Sequence, residues 1–242
     1  MLVFGSGNLY GINSTANSTP VKLGNLQDIA FDFSFNLKEM RGQGQMPIDI
    51  RRGGGKMTGK AKFSNINGRL LNDLFFADIA STGLLLSAVG ETGSIPATPF
   101  QITVANGATF NTDLGVVWAT TGLPLTKVAS APATGQYSVS NAGVYTFAAA
   151  DTGKAVLIDY LYTAATGGTQ IALTNQALGT TPTFMGIFTT KVDTKIITLK
   201  LNACTSGKLA LATKLEDYAI PELDINAMAD AAGSLGTLSI PD

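Results

Sequence analysis

The chain has 242 residues, 45% of them apolar and only 14% charged, which is room for one large β-domain or two small ones with a packed core. Its net charge of −1 gives no general pull toward nucleic acid. With no histidine and a single cysteine, Cys204, it has no Ser-His-Asp or Cys-His arrangement, no histidine-containing zinc site and no internal disulfide.

The opening Met1-Leu2-Val3-Phe4-Gly5 lacks a basic segment and a long apolar run, so no signal peptide is expected. No stretch approaches the roughly 20 apolar residues of a membrane span. Gly5 to Pro20 is rich in Gly, Asn, Ser and Thr and reads as an extended or flexible arm. Next, Ile29, Phe31, Phe33, Phe35 and Leu37 alternate with Ala30, Asp32, Ser34, Asn36 and Lys38. That period of two predicts a strand with one buried and one wet face. A charged, glycine-rich segment, Met40 to Gly55, leads to a second alternation at Met57, Gly59, Ala61 and Phe63. The pair reads as a hairpin whose loop, 40–55, is far longer than a tight turn needs, and long connections tend to carry function. One helix is predicted over about 67–77. Asn67 is its N-cap, Ile66 and Leu71 form a hydrophobic staple, and Leu70, Leu71, Leu74 and Phe75 lie on its apolar face. A short apolar strand follows at Leu84 to Val89.

Composition shifts near Glu91, and from about Thr92 to Gly167 the chain is Ala, Thr, Gly and Val with almost no charge. Short strands are predicted at Phe100–Val104, Val116–Trp118, Tyr137–Val139, Val144–Phe147 and Val156–Tyr162, a spacing that suggests a small sandwich or barrel. Thr166-Gly167-Gly168-Thr169 reads as its exit linker. Strand patterns resume at Phe184–Phe188, Ile197–Leu201, Leu209–Leu211, Leu223–Ile225 and Leu238–Ile240. Cys204 is expected as a small buried hydrophobe on a strand.

Two clusters invite a chemical reading. Gly54-Gly55-Lys56-Met57-Thr58-Gly59-Lys60 nearly matches a phosphate-binding loop, but Ala61 stands where a magnesium-binding Ser or Thr is needed, and a strand follows where a helix should. Glu216, Asp217, Glu222 and Asp224 form an acidic group without calcium-loop spacing. A solvated or interface-facing cluster is the simpler reading. No cofactor, metal, small-molecule ligand or catalytic residue is expected. Scattered Tyr and Phe fall at strand spacing and read as core or interface.

The run Gly24-Asn25-Leu26-Gln27-Asp28-Ile29-Ala30-Phe31-Asp32-Phe33 resembles the opening of tail tube (major tail) proteins of long-tailed bacteriophages. Further similar stretches are Leu37-Lys38-Glu39, Gly42-Gln43, Arg52-Gly53-Gly54-Gly55-Lys56, Gly59-Lys60-Ala61-Lys62-Phe63 and Ile66-Asn67-Gly68-Arg69-Leu70-Leu71-Asn72-Asp73-Leu74-Phe75-Phe76. Near the C-terminus, Ala212 to Tyr218 with Ile220-Pro221-Glu222 also looks familiar. Gly143-Val144-Tyr145-Thr146-Phe147 with Asp151-Thr152-Gly153 is similar to β-modules inserted in such proteins. The resemblance implies a mainly β fold: a β-sandwich or barrel core with one flanking helix, formed by 1–91 and 168–242, and an inserted β-module at 92–167. It implies a structural virion protein of the tail, assembled in the host cytoplasm, forming hexameric rings that stack into a hollow tube through which DNA passes. Its implied partners are further copies of itself, the tape-measure, terminator and baseplate or initiator proteins, and a sheath if the tail contracts.

Charge is unevenly distributed along the chain. From Lys38 to Lys62 basic residues dominate, and from Lys214 onward acidic ones do. Head-to-tail assembly can turn such separation into complementarity. The expected contacts between rings or subunits are therefore Arg41, Arg51, Arg52 and Lys56 on one side and Glu216, Asp217, Glu222 and Asp224 on the other. Asp32, Ser34 and Asn36 are the expected lumen-facing side chains, because a sliding polyanion needs a wall that does not grip phosphate. Competing readings are a tail decoration or fibre-type protein and, from a different class, a carbohydrate-binding β-sandwich module.

Overall fold

The structure, a computed structural model, describes residues 5–14, 18–65, 67–192, 195–212, 215–216 and 218–241, and not the side chains of 70 and 192. Met1–Phe4, Ile66 of the expected staple, the Leu70 side chain, Lys214, Asp217 and Asp242 lie outside the described residues. The fold is mainly β, with 57% of residues in strands and 6% in helices. It divides into two compact units, one of Met1–Ala80 with Ile171–Asp242 and one of Ser81–Gln170.

In chain order the elements are β1 (Asn8–Asn13), β2 (Val21–Leu23), β3 (Leu26–Arg41), β4 (Pro47–Phe63), the helical turn α1 (Gly68–Leu71) that widens into a π-turn (Asn72–Phe76), and β5 (Ala80–Ser94). Then come β6 (Gln101–Thr103), β7 (Phe110–Trp118), β8 (Thr126–Lys127), β9 (Gln136–Val139), β10 (Val144–Phe147) and the long return strand β11 (Ala155–Ile171). The chain closes with β12 (Phe184–Val192), β13 (Lys195–Thr205), β14 (Leu209–Ala210), β15 (Glu222–Met228) and β16 (Gly236–Ser239).

The first unit is one nine-stranded sheet in the order β2-β1-β12-β13-β15-β4-β3, with β14 beside β15 and β16 beside β13. The sheet curls enough to bring Phe31 of β3 against Phe188 of β12, ring centroids 5.6 Å apart. It does not close: β3 and β2 end the hydrogen-bonded order, so of the expected sandwich or barrel the closed barrel is not formed and the sheet is open and curved. The core lies on one face and includes Leu9, Leu23, Met57, Ala61, Phe63, Phe184, Leu201, Leu223 and Ile225, joined by Leu71 and Leu74 of the helix. Gly11 makes that helix contact possible, since a Cβ there would lie 2.6 Å from Leu74 Cδ2. Cys204 is fully buried on β13, and burial pushes its thiol up to about 11.

Three expectations change. The segment Gly5–Pro20 is not simply an arm, because it contains β1, whose Leu9 is buried. The helix is shorter and wider than a regular one over 67–77. Arg69 N donates to Asn67 Oδ1 at 3.0 Å, as an N-cap should, but the π-turn ends at Ala77, whose N–H donates to Asn72 O at 2.7 Å with φ of 50°. And Thr166–Thr169 is not an exit linker but part of β11. Gly168 leaves room for Leu84 of the neighbouring strand, where a Cβ would stand 2.4 Å from Leu84 Cδ2.

The second unit stacks a three-stranded sheet, β5-β11-β7, and a four-stranded one, β6-β10-β9-β8, around a shared core. Tyr145, Tyr160, Ile158, Val156, Val116 and Ile95 lie at its centre, each almost or wholly buried. The compositional break at Glu91 falls inside β5, and the compact unit begins earlier, at Ser81. Residues on either side of this unit are tied together within the first. Ala172 N donates to Ile79 O at 3.2 Å, Thr174 Oγ1 and Gln176 Nε2 donate to the Asp78 carboxylate at 2.5 and 3.0 Å, and the buried Asn72 amide brackets the Asp78 backbone. The Thr174 and Gln176 bonds hold Asp78 below the usual carboxylate range. Because the ends meet, excising 81–170 and joining Ala80 to Ile171 through Asn-Gly, a favoured two-residue hairpin turn, is expected to leave the first unit folded. Circular dichroism and calorimetry of the excised protein check this; a chain without a cooperative transition would show that the first unit depends on the second.

Candidate assembly surfaces

The hairpin of β3 and β4 is formed by the two longest strands of the first unit. Its ladder runs from Leu26 opposite Phe63 to Arg41 opposite Pro47, so the segment 40–55 is mostly paired strand and only 42–46 turns. The alternation does make a strand, but its apolar face is buried only near the base. Phe63 and Ala61 are fully buried, Phe31 is half-buried, and beyond it Phe33, Phe35 and Leu37 are 48, 49 and 62% exposed. Ile48, Ile50, Met40 and Met46 on the outer part are also exposed. The reason is geometric: β15 pairs with β4 only from Met57 to Lys62, so among the described residues the outer half of the hairpin has no neighbouring strand. β3 is also the last strand of the sheet, so among the described residues no strand pairs with its outer edge. A long apolar edge of this kind is a liability unless another chain covers it. A cleft lined by Phe33, Leu199, Leu201, Leu235 and Leu238 continues the apolar strip into the end of the core.

The basic residues singled out from sequence all sit on this hairpin. Arg41 is paired with Glu39 at 2.7 Å and Arg51 with Asp49 at 2.8 Å, each along its own strand and well exposed. Such exposed pairs contribute about 0.2–1 kcal/mol and exchange readily for another carboxylate. Arg52 lies over the Phe35 ring, 4.7 Å from its centroid. Neither Arg52 nor Lys56 has a carboxylate within ion-pair distance among the described residues. Lys38 stands directly opposite Arg51 in the ladder, a like-charge pair that disfavours the isolated arm.

The acidic residues are not one cluster. Glu222 and Asp224 lie on β15, side by side with Lys62 and Lys60 of β4, and Glu222 reaches Lys60 Nζ at 3.8 Å. Asp224 Oδ1 is buried without a hydrogen-bond partner. Glu216 is exposed in the loop before β15, and Asp217 lies outside the described residues. The structure thus brings Glu222 and Asp224 to the basic strand of the same chain, while Glu216 is exposed and makes no ion pair among the described residues. Among the described residues no three carboxylate or thiol groups converge on a metal position.

Asp32 and Ser34 share the polar face of the sheet with Thr58 and Lys56, their ladder partners, and Asn36 continues the same alternation to the bulge beyond Phe35. That face is a mosaic: Asp28, Asp32, Glu222 and Asp224 against Lys56, Lys60 and Lys62. Lys38, next in the same alternation after Asn36, and its ladder partner Arg51 add positive charge further out along that face. The phosphate-loop-like run from Gly54 to Lys60 lies in β4, with no helix behind it to cradle an anion.

A polar network inside the second unit has no counterpart among the sequence expectations. Asp113 accepts hydrogen bonds from Tyr137 and Tyr145 hydroxyls at 2.8 and 2.9 Å and from Gly115 N at 3.1 Å, and Lys127 Nζ stands 3.0 Å away. Tyr160 donates to Glu91 at 2.6 Å and accepts from Asn106. Tyr137, Tyr145 and Tyr160 are held protonated well above the usual phenol range, chiefly by burial and then by these carboxylates. The tyrosines alternate along their strands and could have been read as core; their shared acceptor could not. Each of the three tyrosine hydroxyls donates to a carboxylate, as a stable buried polar network requires. No protein-family model matches the chain, and no curated protein matches it.

Proposed function

We propose that the chain is a structural protein that assembles with copies of itself through the β3–β4 hairpin. The observation that carries this is the hairpin's outer half, a paired arm whose aromatic and aliphatic face is exposed beside the sheet's unpaired edge. Burying that face recovers roughly 25 cal/mol per Å² of apolar surface, and repetition around a symmetric assembly multiplies small contacts. Together with the sequence likeness to tail tube proteins, this supports hexameric rings stacked into the tube of a bacteriophage tail. In that assembly the mosaic polar face bearing Asp32, Ser34 and Asn36 is the channel wall, DNA passes without specific binding, and there is no turnover chemistry. Sedimentation velocity over rising concentration tests the reading. The expected result is growth from monomer to rings and longer polymers; a monomer at every concentration, even with tail initiator proteins supplied, would overturn it.

A further inference from the structure

We propose that the outer polar face of the β3–β4 hairpin is a stripe that contacts the phosphates of duplex DNA through Lys38, Arg51 and Lys56. The inference rests on the channel reading above for the presence of a duplex, but the contact itself belongs to the single chain and is measured on it. The two faces of the outer hairpin differ. Leu37 with Arg52 and Glu39 with Ile50 are ladder partners on the face that continues from Phe33 and Phe35. The opposite face carries Ser34 with Lys56, then Asn36, then Lys38 with Arg51, and all five are exposed. Lys38 and Arg51 stand directly opposite each other, and like charges so placed destabilise a strand pair. The described residues do not answer for them in full. Asp49 holds Arg51 Nε at 2.8 Å, while Lys38 and Lys56 make no ion pair among the described residues. An anion seated across the pair turns the repulsion into attraction.

Toward the base the same face changes sign. There Asp28, Asp32, Glu222 and Asp224 stand against Lys60 and Lys62, with Lys60 3.8 Å from Glu222 and Lys62 3.8 Å from Asp28. A polyanion is therefore drawn to the outer stripe and not to the base. The backbone between the cations leaves it room. Gly53, Gly54 and Gly55 lie between Arg52 and Lys56 where the ladder shifts register, and a Cβ on Gly54 would meet nothing within 4 Å. With no side chain standing above the bulge, a broad ligand can lie close against the strand. Arg51 and Lys56 are roughly 16 Å apart at about 3.3 Å per residue, too far for one phosphate to touch both. A chain of phosphates spans them, since a duplex presents a charge about every 1.7 Å along its axis. Phosphate contacts of this kind carry no sequence information and let the partners slide past one another, which suits passage without specific binding.

Fluorescence anisotropy of a short labelled duplex, titrated at low salt with the full chain below any concentration at which it polymerises, tests the contact. Two duplexes of unrelated sequence are expected to bind equally, with log affinity falling against log salt at a slope of roughly −2.7, about −0.9 for each of three phosphates. Lys38→Gln, Arg51→Gln and Lys56→Gln combined in one chain are expected to weaken binding about tenfold or more and to bring the slope close to zero. Lys60→Gln with Glu222→Gln, which removes a matched pair at the base, is expected to change neither. The melting temperature of the triple variant is expected to hold or rise, because its like-charge pair is gone, so lost binding is not lost folding. No binding by the unmodified chain, unchanged affinity in the triple variant, or polyglutamate competing as well as unlabelled duplex would overturn the assignment. A chain that binds the duplex but never assembles keeps this contact and loses the channel; a chain that assembles but does not bind keeps the channel and loses the contact.

Discussion

Ending the hairpin early, with Leu37 joined to Arg52 through Asn-Gly in place of residues 38–51, is expected to leave a folded monomer that no longer assembles. Leu37 and Arg52 are ladder partners, so the new turn closes an existing register. The residues removed are almost all exposed and, among the described residues, no other strand pairs with them, so unfolding stability should change by no more than about 1 kcal/mol. What is lost is the exposed Met40, Met46, Ile48 and Ile50 together with Arg41 and Arg51. Thermal unfolding and sedimentation of the shortened protein separate the two effects. Normal polymers from a chain lacking the outer arm would show that assembly runs through another surface.

Asp113→Ala has the opposite character: it should damage folding and spare assembly. The Asp113 side chain is 4% exposed and serves two tyrosine hydroxyls, one backbone N–H and Lys127. Its removal strands the hydroxyls of Tyr137 and Tyr145 in the core, at about 1–3 kcal/mol each, so a loss of order 3–5 kcal/mol is expected in the second unit alone. For a unit of this size that lowers its melting temperature by roughly 15–30 °C. Scanning calorimetry should show one transition moving down while that of the first unit stays; two unmoved transitions would mean the network contributes nothing. The same tyrosines give a pH signature. The fold holds them protonated, whereas the unfolded chain releases its phenol protons near pH 10, so the second unit's stability should fall as pH rises above about 10.

Much of the strand framework was legible because side chains alternate with period two, as from Ile29 to Leu37 and from Met57 to Phe63. That periodicity says the two faces of a strand differ; it does not say what covers the apolar one. Phe33, Phe35 and Leu37 read as core and are exposed, because cover depends on how far β15 runs beside β4. β1 was hidden by composition, its pattern carried by Leu9 and by a glycine, Gly11, that matters for what it lacks. The Gly-Gly step at 167–168 looked like a linker because glycine serves both flexibility and close strand contact. Charge along the chain suggested separate basic and acidic surfaces, but β15 pairs antiparallel with β4 and sets Glu222 and Asp224 beside Lys62 and Lys60. Among the described residues Arg41, Arg51, Arg52, Lys56 and Glu216 make no ion pair between the two stretches. Asp113, between Thr112 and Leu114, has no local signal at all; its role comes from three strands meeting.

Electron microscopy of the purified full chain at rising concentration shows whether it self-assembles into stacked rings. The expected result is six-fold rings that lengthen into hollow tubes, and their loss when residues 38–51 are replaced by the short turn. Fields of single particles at every concentration, or tubes that survive that replacement unchanged, would contradict it.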